Sequence, residues 1–126
     1  QDTKAEVLVT NRTASKASMM AKEFKVEQVD PHELPKVDVF INATTVGLPG
    51  QNYLLVDKEW LQGCEAVFDM VYSQTVLEQT AKELGCKIIL GKKMLLFQGV
   101  RQFELFTGFD APIQAMAEVL GFKCKI

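Results

Sequence analysis

The stretch "VDVFINATTVGLPG", residues 37–50, joins an apolar run to a loop of small and polar residues. Its first six residues are mostly apolar, which is typical of a β-strand covered on both faces of a sheet. The segment that follows contains Thr44, Thr45, Gly47 and Pro49, residue types that are common in turns. We interpret the stretch as a buried strand whose end contacts a ligand. The alternative is an ordinary turn in which the threonines cap backbone groups.

Strand and helix patterns alternate on both sides of this stretch. The predicted strands span 6–10, 25–29, 37–42, 66–72 and 87–90. The first predicted helix is capped by Thr13, and a helical turn follows at 57–61. A further helix begins at a Thr75–Glu78 capping box and ends at Gly85, and two more span 93–106 and 110–120. Because several strands are too apolar for a one-sided sheet, the pattern predicts a three-layer α/β fold with a mostly parallel sheet. Ligands bind such sheets beyond the carboxyl ends of the strands.

Composition and charge exclude several classes of function. The formal net charge is −2 and the basic residues are spread out, which argues against a nucleic-acid groove and an anionic membrane surface. No apolar run approaches the roughly 20 residues of a membrane helix. The three cysteines form no CxxC pair and indicate thiols in a reducing compartment. The single histidine, His32, follows a proline and is interpreted as a solvated loop residue, so we expect no metal site and no catalytic triad.

The residues after strand 6–10 suit a phosphate group. At the end of the second strand of a dinucleotide-binding fold, an Asp or Glu selects NAD, whereas an Arg accepts the 2′-phosphate of NADP. Asn11, Arg12 and Thr13 stand at this strand end, Lys16 lies one helical turn further on, and no acid accompanies them. Two positive charges at a helix start favour NADP. The alternative is a helix cap beside an exposed arginine.

Residues that could contact a ligand follow the other strands as well. Met70 and Tyr72 end one apolar run, although such residues are more often part of a core. Gly91 follows the next strand, and Met94 and Gln98 come after it, four residues apart and so on one helix face. The alternative for Gln98 is a hydrogen bond from its amide to a nearby carbonyl in an apolar stretch. Taken together, the strand ends predict a shared ligand-binding rim.

Four motifs carry a resemblance to a known family. They are "NRTxxK" from Asn11, "INATTVGL" from Ile41, "VFDMVY" from Val67 and "GxxMLxxQGxxxFELFTG" from Gly91. In this order they resemble the nucleotide-binding half of the shikimate dehydrogenase family, over nearly the whole chain. The resemblance implies a Rossmann-like fold, the cofactor NADP, and a cytoplasmic oxidoreductase. It also implies the reduction of 3-dehydroshikimate to shikimate with NADPH, a step of the chorismate pathway to aromatic amino acids.

The resemblance also implies a role for individual residues. The implied cofactor-binding residues are Asn11, Arg12, Thr13, Lys16, Thr44, Met70, Gly91 and Met94. The first four would hold the 2′-phosphate and adenine, Thr44 would lie near the adenosine, and the last three near the nicotinamide. Tyr72 and Gln98 would reach the shikimate hydroxyls. No catalytic residue is implied in this chain, because the family's catalytic Lys and Asp lie in a separate substrate domain, and Lys92 and Lys93 are interpreted as solvated.

The chain departs from the family pattern in one large respect. It contains no GxG, so the glycine-rich phosphate loop is absent, together with the first strand and the substrate domain. We expect residues 1–126 to be a partial NADP-binding domain of a longer or processed protein, with 1–3 ending the helix that follows the missing loop. The expected partners are shikimate or 3-dehydroshikimate and the missing N-terminal half, with the oligomeric state left open. The piece alone is expected to be inactive.

The missing first strand has a structural consequence. In the Rossmann strand order 3-2-1-4-5-6 it lies in the middle of the sheet, between strands 6–10 and 37–42. Three outcomes are expected for the empty position. The two strands pair directly, another chain or segment fills it, or the rest of the parent protein fills it.

Three alternatives to a shikimate dehydrogenase stay open. A quinate/shikimate dehydrogenase is barely separated from it by these residues. A regulatory module that binds NADP without catalysis also fits the absence of a catalytic half. A methylenetetrahydrofolate dehydrogenase shares the architecture, but the helix motif around Gln98 speaks against it.

Overall fold

Strands and helices alternate along residues 4–121, the part of the chain that the computed structural model describes. The elements are β1 (Leu8–Val9), α1 (Ala14–Phe24), β2 (Glu27–Gln28), β3 (Val39–Asn42), α2 (Lys58–Leu61), β4 (Ala66–Asp69), α3 (Val76–Glu83), β5 (Lys87–Leu90), α4 (Gly91–Thr107) and α5 (Ile113–Val119). The order agrees with the predicted alternation. Residues 1–3, for which the end of a helix is expected, and the third cysteine, Cys124, lie outside the described residues.

All strand pairs among the described residues are parallel, and the strands form two sheets. One sheet has the order β1-β2 and the other the order β3-β4-β5. The predicted α/β fold with parallel strands is confirmed. The break between the sheets falls between β1 and β3, where the Rossmann order places the first strand. Of the three expected outcomes, direct pairing of β1 with β3 is therefore wrong for the described residues.

The main core lies on one face of the β3-β4-β5 sheet. Val67 of β4 belongs to it, and Phe40 of β3 and Ile88 of β5 are partly buried and pack against it. Its other fully or nearly buried members come from α2, α3 and the loops around them: Leu34, Val56, Leu61, Cys64, Leu77, Ala81 and Cys86. Burial of these side chains stabilises the sheet against the two helices, at about 25 cal/mol for each Å² of apolar surface removed from water.

The opposite face of β3 is open. Val39 and Ile41 alternate with Phe40 and are 49% and 54% exposed. The prediction that this strand is covered on both faces is therefore wrong within the described residues. Alternate side chains of a strand point to opposite faces, so Phe40 packs against the core while its neighbours remain in solvent.

Most helix and strand boundaries differ from the predicted ones by a few residues. The observed strands end or begin inside the predicted 6–10, 25–29, 37–42 and 66–72. The last of these stops at Asp69 because its carboxylate accepts a hydrogen bond from the Val71 N–H, which turns the chain. Helix α4 is longer than the predicted 93–106, and α5 is shorter than 110–120 because Pro112, with ψ of 68°, lies outside it.

Two predicted helix caps are partly right. The Thr75 hydroxyl accepts the Glu78 N–H at 3.0 Å, as a capping box requires. The Glu78 carboxylate pairs with Lys82 on the same helix instead of reaching back to Thr75. The side chain of Thr13 makes no cap bond to α1. Its own N–H donates to Asn11 Oδ1 at 2.8 Å, so Asn11 orders the turn before the helix.

The two described cysteines are free, buried thiols. Their Sγ atoms donate to backbone carbonyls, Cys64 to Trp60 and Cys86 to Leu61. Burial raises the pKa of the Cys64 thiol, and the nearby Cys86 and Asp38 raise it further. The Cys64 thiol therefore stays protonated at neutral pH. None of the helices within 4–121 is both long and apolar enough to cross a membrane.

Candidate functional site

The three strands of the larger sheet end in one row. Asn42 of β3 lies beside Asp69 of β4, which lies beside Leu90 of β5. The Met70 N–H donates to the Asn42 carbonyl at 3.1 Å, so the pairing continues one residue beyond β4. Because the strands are parallel, the segments that follow them start from the same edge. These segments carry six of the ten residues predicted to bind cofactor or substrate: Thr44, Met70, Tyr72, Gly91, Met94 and Gln98.

Met70 and Gly91 are in direct contact at this edge. A Cβ atom on Gly91 would lie 2.3 Å from the Met70 carbonyl oxygen and 3.0 Å from that of Asp69. Only a glycine permits this approach of the α4 start to the β4 end, since real Cβ atoms do not come so close to backbone. Met94, one helical turn further on, is half-buried. The three residues implied at the nicotinamide end thus surround the start of α4.

Tyr72 and Gln98 present their side chains to solvent. Tyr72 is 49% exposed, and Gln98 is exposed on α4. The structure contradicts the alternative for Gln98, a buried amide that serves a backbone carbonyl. It also contradicts the alternative that Tyr72 is a core residue. Both polar ends remain available to a ligand.

Thr44 and Thr45 behave as the turn alternative predicts. The Thr44 hydroxyl donates to Asn42 Oδ1 at 2.8 Å and accepts the Val46 N–H at 3.0 Å. The Thr45 hydroxyl donates to Gln51 Oε1 at 3.2 Å. The hydroxyl of Thr44 is thus engaged within its own loop. A contact between Thr44 and an adenosine would therefore not use the hydroxyl proton, which Asn42 accepts.

The predicted phosphate-binding residues follow β1, in the smaller sheet. Arg12, Thr13 and Lys16 are exposed, and neither Arg12 nor Lys16 forms an ion pair with any described residue. The first turn of α1 contains no acidic residue. Two free cations beside a helix N-terminus fit a phosphate group. Within residues 4–121, no hydrogen bond joins this group to the segments after β3, β4 and β5.

Three buried polar residues at the rim were missed as functional candidates. Asn42, Asp69 and Thr75 are 0%, 2% and 5% exposed, and their side chains are hydrogen-bonded to one another. A signal was present in the sequence, because a lone carboxylate inside the apolar run 66–72 must find donors once it is buried. In the part of the chain with described coordinates, no group of His, Cys, Asp and Glu could hold a metal ion.

Comparison with known proteins gives a consistent result. Residues 93–120 match the family described as "Shikimate 5'-dehydrogenase C-terminal domain". The chain is 36% identical over 110 residues to the shikimate dehydrogenase (NADP(+)) of Aquifex aeolicus, covering 86% of this chain and 41% of that protein.

Two solved structures share the fold over nearly the whole chain. Shikimate 5-dehydrogenase of Thermus thermophilus, in complex with NADP(H) and shikimate, is 32% identical with a TM-score of 0.82, covering 93% of this chain and 46% of that one. Quinate dehydrogenase of Corynebacterium glutamicum, in complex with NAD, is 28% identical with a TM-score of 0.81, covering 90% and 45%. The chain spans less than half the length of each of these relatives. The resemblance carried by the four sequence motifs is confirmed.

Proposed function

We propose that this chain, which is related to the C-terminal half of the shikimate dehydrogenases, is the NADP-binding half of such an enzyme. The substrate half of the enzyme would lie outside these 126 residues. The parent protein would reduce 3-dehydroshikimate to shikimate with NADPH, in the cytoplasm. Its partners would be this small substrate and the N-terminal half of the same protein.

The observation that carries the proposal is the contact between Gly91 and the Met70 backbone at the common end of three parallel strands. Because Gly91 has no side chain, the start of α4 packs directly on the Met70 backbone, which brings the segments after β4 and β5 together at this edge. Two exposed polar side chains, Tyr72 and Gln98, follow the same strand ends and can select the substrate. Arg12 and Lys16, which form no ion pair within residues 4–121, suit a 2′-phosphate, which NADP has and NAD lacks.

The residues of this chain would bind and orient rather than react. A bound nicotinamide cofactor supplies the hydride, and the transfer needs that ring held close to the substrate carbonyl. Met70, Gly91 and Met94 would position the ring, while Tyr72 and Gln98 would hold the substrate hydroxyls. The forming alkoxide also needs a proton donor. Asp69, the carboxylate at this edge, is buried and accepts three hydrogen bonds, so we assign the donor to the absent half.

The test is an assay of the full translation product of the gene that encodes these residues. Its mass is measured first, and we expect a chain about twice as long, since each relative is covered to less than half. NADP reduction is then followed with shikimate, and NAD reduction with quinate. We expect turnover with shikimate and NADP. Tight NADP binding without turnover on either substrate would favour a regulatory module and reject the enzyme.

A quinate/shikimate dehydrogenase is the second candidate. It is favoured by the similarity to the Corynebacterium glutamicum quinate dehydrogenase, whose TM-score of 0.81 is close to that of the Thermus thermophilus shikimate enzyme. Arg12 and Lys16 without a neighbouring acid speak for NADP instead of NAD. A higher kcat/KM with quinate and NAD in the same assay would select this candidate.

A further inference from the structure

Asp69 is a buried carboxylate whose hydrogen-bond partners among the described residues are all uncharged. It is 2% exposed, and the ion pairs among the described residues do not include it. Its Oδ1 accepts the Asn42 side-chain N–H at 3.0 Å and the Val71 backbone N–H at 3.2 Å. Its Oδ2 accepts the Thr75 hydroxyl at 2.5 Å. A charge buried in this way is tolerated only because several donors replace the water that it has lost.

Asn42 extends this network into the loop after β3. Its side-chain N–H₂ group donates to the Val46 carbonyl at 2.9 Å as well as to Asp69. Its Oδ1 accepts both the backbone N–H and the hydroxyl of Thr44, at 3.0 and 2.8 Å. Each polar atom of the Asn42 side chain is thus used to fix residues 43–46 against the end of β4.

Thr75 extends the network into the loop after β4 and into α3. Its hydroxyl donates to Asp69 and accepts the Glu78 N–H, so one group holds the strand end and the helix start together. The two loops also touch directly. A Cβ on Gly47 would lie 2.6 Å from Thr75 Cγ2, and the Ser73 hydroxyl donates to the Gly47 carbonyl at 3.1 Å.

We propose that Asp69 is a positioning residue, which acts through Asn42 and Thr75 to hold the loops after β3 and β4 in the arrangement that the dinucleotide and substrate require. This inference rests on the proposed function for what the loops bind. Asp69 immediately precedes Met70, and its bond to the Val71 N–H fixes the turn from which Met70 and Tyr72 project. The same carboxylate fixes the Thr44 loop through Asn42.

A purely structural role explains this arrangement less well. Replacing a whole buried polar network by apolar residues of similar volume is often neutral or stabilising, so such a network is a weak device for stability alone. A network in which every atom is satisfied instead selects one geometry for the groups around it. Asp69 lies at the ligand edge of the sheet, where a defined geometry of two loops matters most.

The experiment compares three variants of the full-length protein. Thr75→Val removes the hydroxyl and keeps the shape, while Thr75→Ser keeps the hydroxyl. Thr80→Val is the matched control, because Thr80 is 8% exposed on the same helix and its hydroxyl is outside the network. For each variant we measure Tm, kcat, KM for NADP and for shikimate, and hydrogen exchange of residues 43–52.

Thr75→Val should raise KM for NADP by about tenfold to a hundredfold and speed exchange throughout 43–52, as expected when a distant change displaces binding groups. Thr75→Ser should restore values near wild type. Thr80→Val should produce neither effect. A loss of Tm in Thr75→Val with unchanged exchange in 43–52 and unchanged KM would overturn the proposal. So would faster exchange with unchanged KM values.

Failure of the proposed function gives a different result. A wild-type protein that neither binds NADP nor oxidises shikimate would reject that function. The rate of hydrogen exchange in residues 43–52 would then be the only test of whether the Asp69 network holds the loops. Faster exchange in Thr75→Val, restored by Thr75→Ser, would support the role of Asp69 in holding the loops, and unchanged exchange would overturn it.

Discussion

We expect the choice between NADP and NAD to depend most directly on Arg12. It is exposed and forms no ion pair with the described residues, so a 2′-phosphate would not have to displace a partner. We expect Arg12→Ala to weaken NADP binding by about 1.5–3 kcal/mol, the range for a hydrogen bond to a charged group, and to leave NAD binding nearly unchanged. Calorimetric titration of the full-length protein with both cofactors measures this difference.

Lys22→Ala provides the control for Arg12. Lys22 is an exposed cation in the last turn of the same helix, at the opposite end from Arg12. Lys22→Ala should leave the affinities for NADP and for NAD unchanged. Equal losses for NADP and NAD in Arg12→Ala would show that Arg12 does not contact the phosphate.

Gln98 is expected to contact substrate and to contribute little to stability. Its side chain is exposed, so Gln98→Ala leaves no buried amide partner without a bond. We expect a raised KM for shikimate, a lowered kcat or both, with Tm and NADP affinity close to wild type. Gln102→Ala, one turn further along the same helix face, is the control. Thermal melts and steady-state kinetics are measured on the same samples. A fall in Tm of Gln98→Ala with unchanged kinetics would contradict a contact between Gln98 and substrate.

At the scale of single residues, the sequence predicted where the candidate residues lie better than it predicted the hydrogen bonds around them. Met70 and Gly91 follow strands that apolar runs make visible, so their place at the sheet edge was predictable. The hydrogen-bond partners of Asp69 were not predictable, because Asn42 lies 27 residues away and is brought close only by the pairing of β3 with β4. The sequence left open whether the Thr44 hydroxyl faces a ligand or caps its own turn. The two cases differ only in the orientation of this hydroxyl, which no sequence pattern encodes.

At the scale of elements, their order was predictable and their ends were not. Residues 66–72 form one apolar run, but β4 stops at Asp69 because of a side-chain bond to Val71. The exposure of Val39 and Ile41 was also unpredictable. An apolar run shows that a strand can be covered on both faces, but it does not show which covering segments are present.

The junction of β4 with α4 depends on Gly91 having no side chain. A Cβ placed there would lie 2.3 Å from the Met70 carbonyl oxygen, and backbone moves less readily than a side chain. We expect Gly91→Ala to lower the free energy of unfolding by about 1–3 kcal/mol through overpacking, and to weaken cofactor binding because Met70 is displaced. Chemical denaturation and an NADP titration of the full-length protein measure the two effects.

Gly99→Ala is the matched control on the same helix. Its Cβ would lie 3.1 Å from the flexible end of Met116, which can move aside. Alanine is also favoured over glycine inside a helix by about 1 kcal/mol. We expect no loss of NADP affinity and little change in stability. If Gly91→Ala behaved like Gly99→Ala, the contact between α4 and β4 would not be tight in solution.

At the scale of the whole molecule, the alternation of strands and helices predicted parallel pairing, and the Rossmann order predicted where the sheet would divide. Both predictions agree with the two sheets β1-β2 and β3-β4-β5. The sequence did not decide between the outcomes for the empty position. Direct pairing of β1 with β3 would need the two sheets to shift together, and local sequence patterns carry no information on such long-range packing.

The last prediction concerns the 126-residue chain purified by itself. Among the described residues, β1 and β3 each pair on one side only, and Val7, Val39 and Ile41 beside them are about half exposed. Unpaired strand edges with apolar neighbours promote association, and a chain without a GxG loop lacks the usual backbone cradle for a pyrophosphate. We therefore expect self-association in size-exclusion chromatography and NADP binding far weaker than that of the full-length protein. Addition of the separately expressed N-terminal half should reverse both. A well-behaved monomer that binds NADP at micromolar concentration, with no help from that half, would contradict our placement of the missing strand.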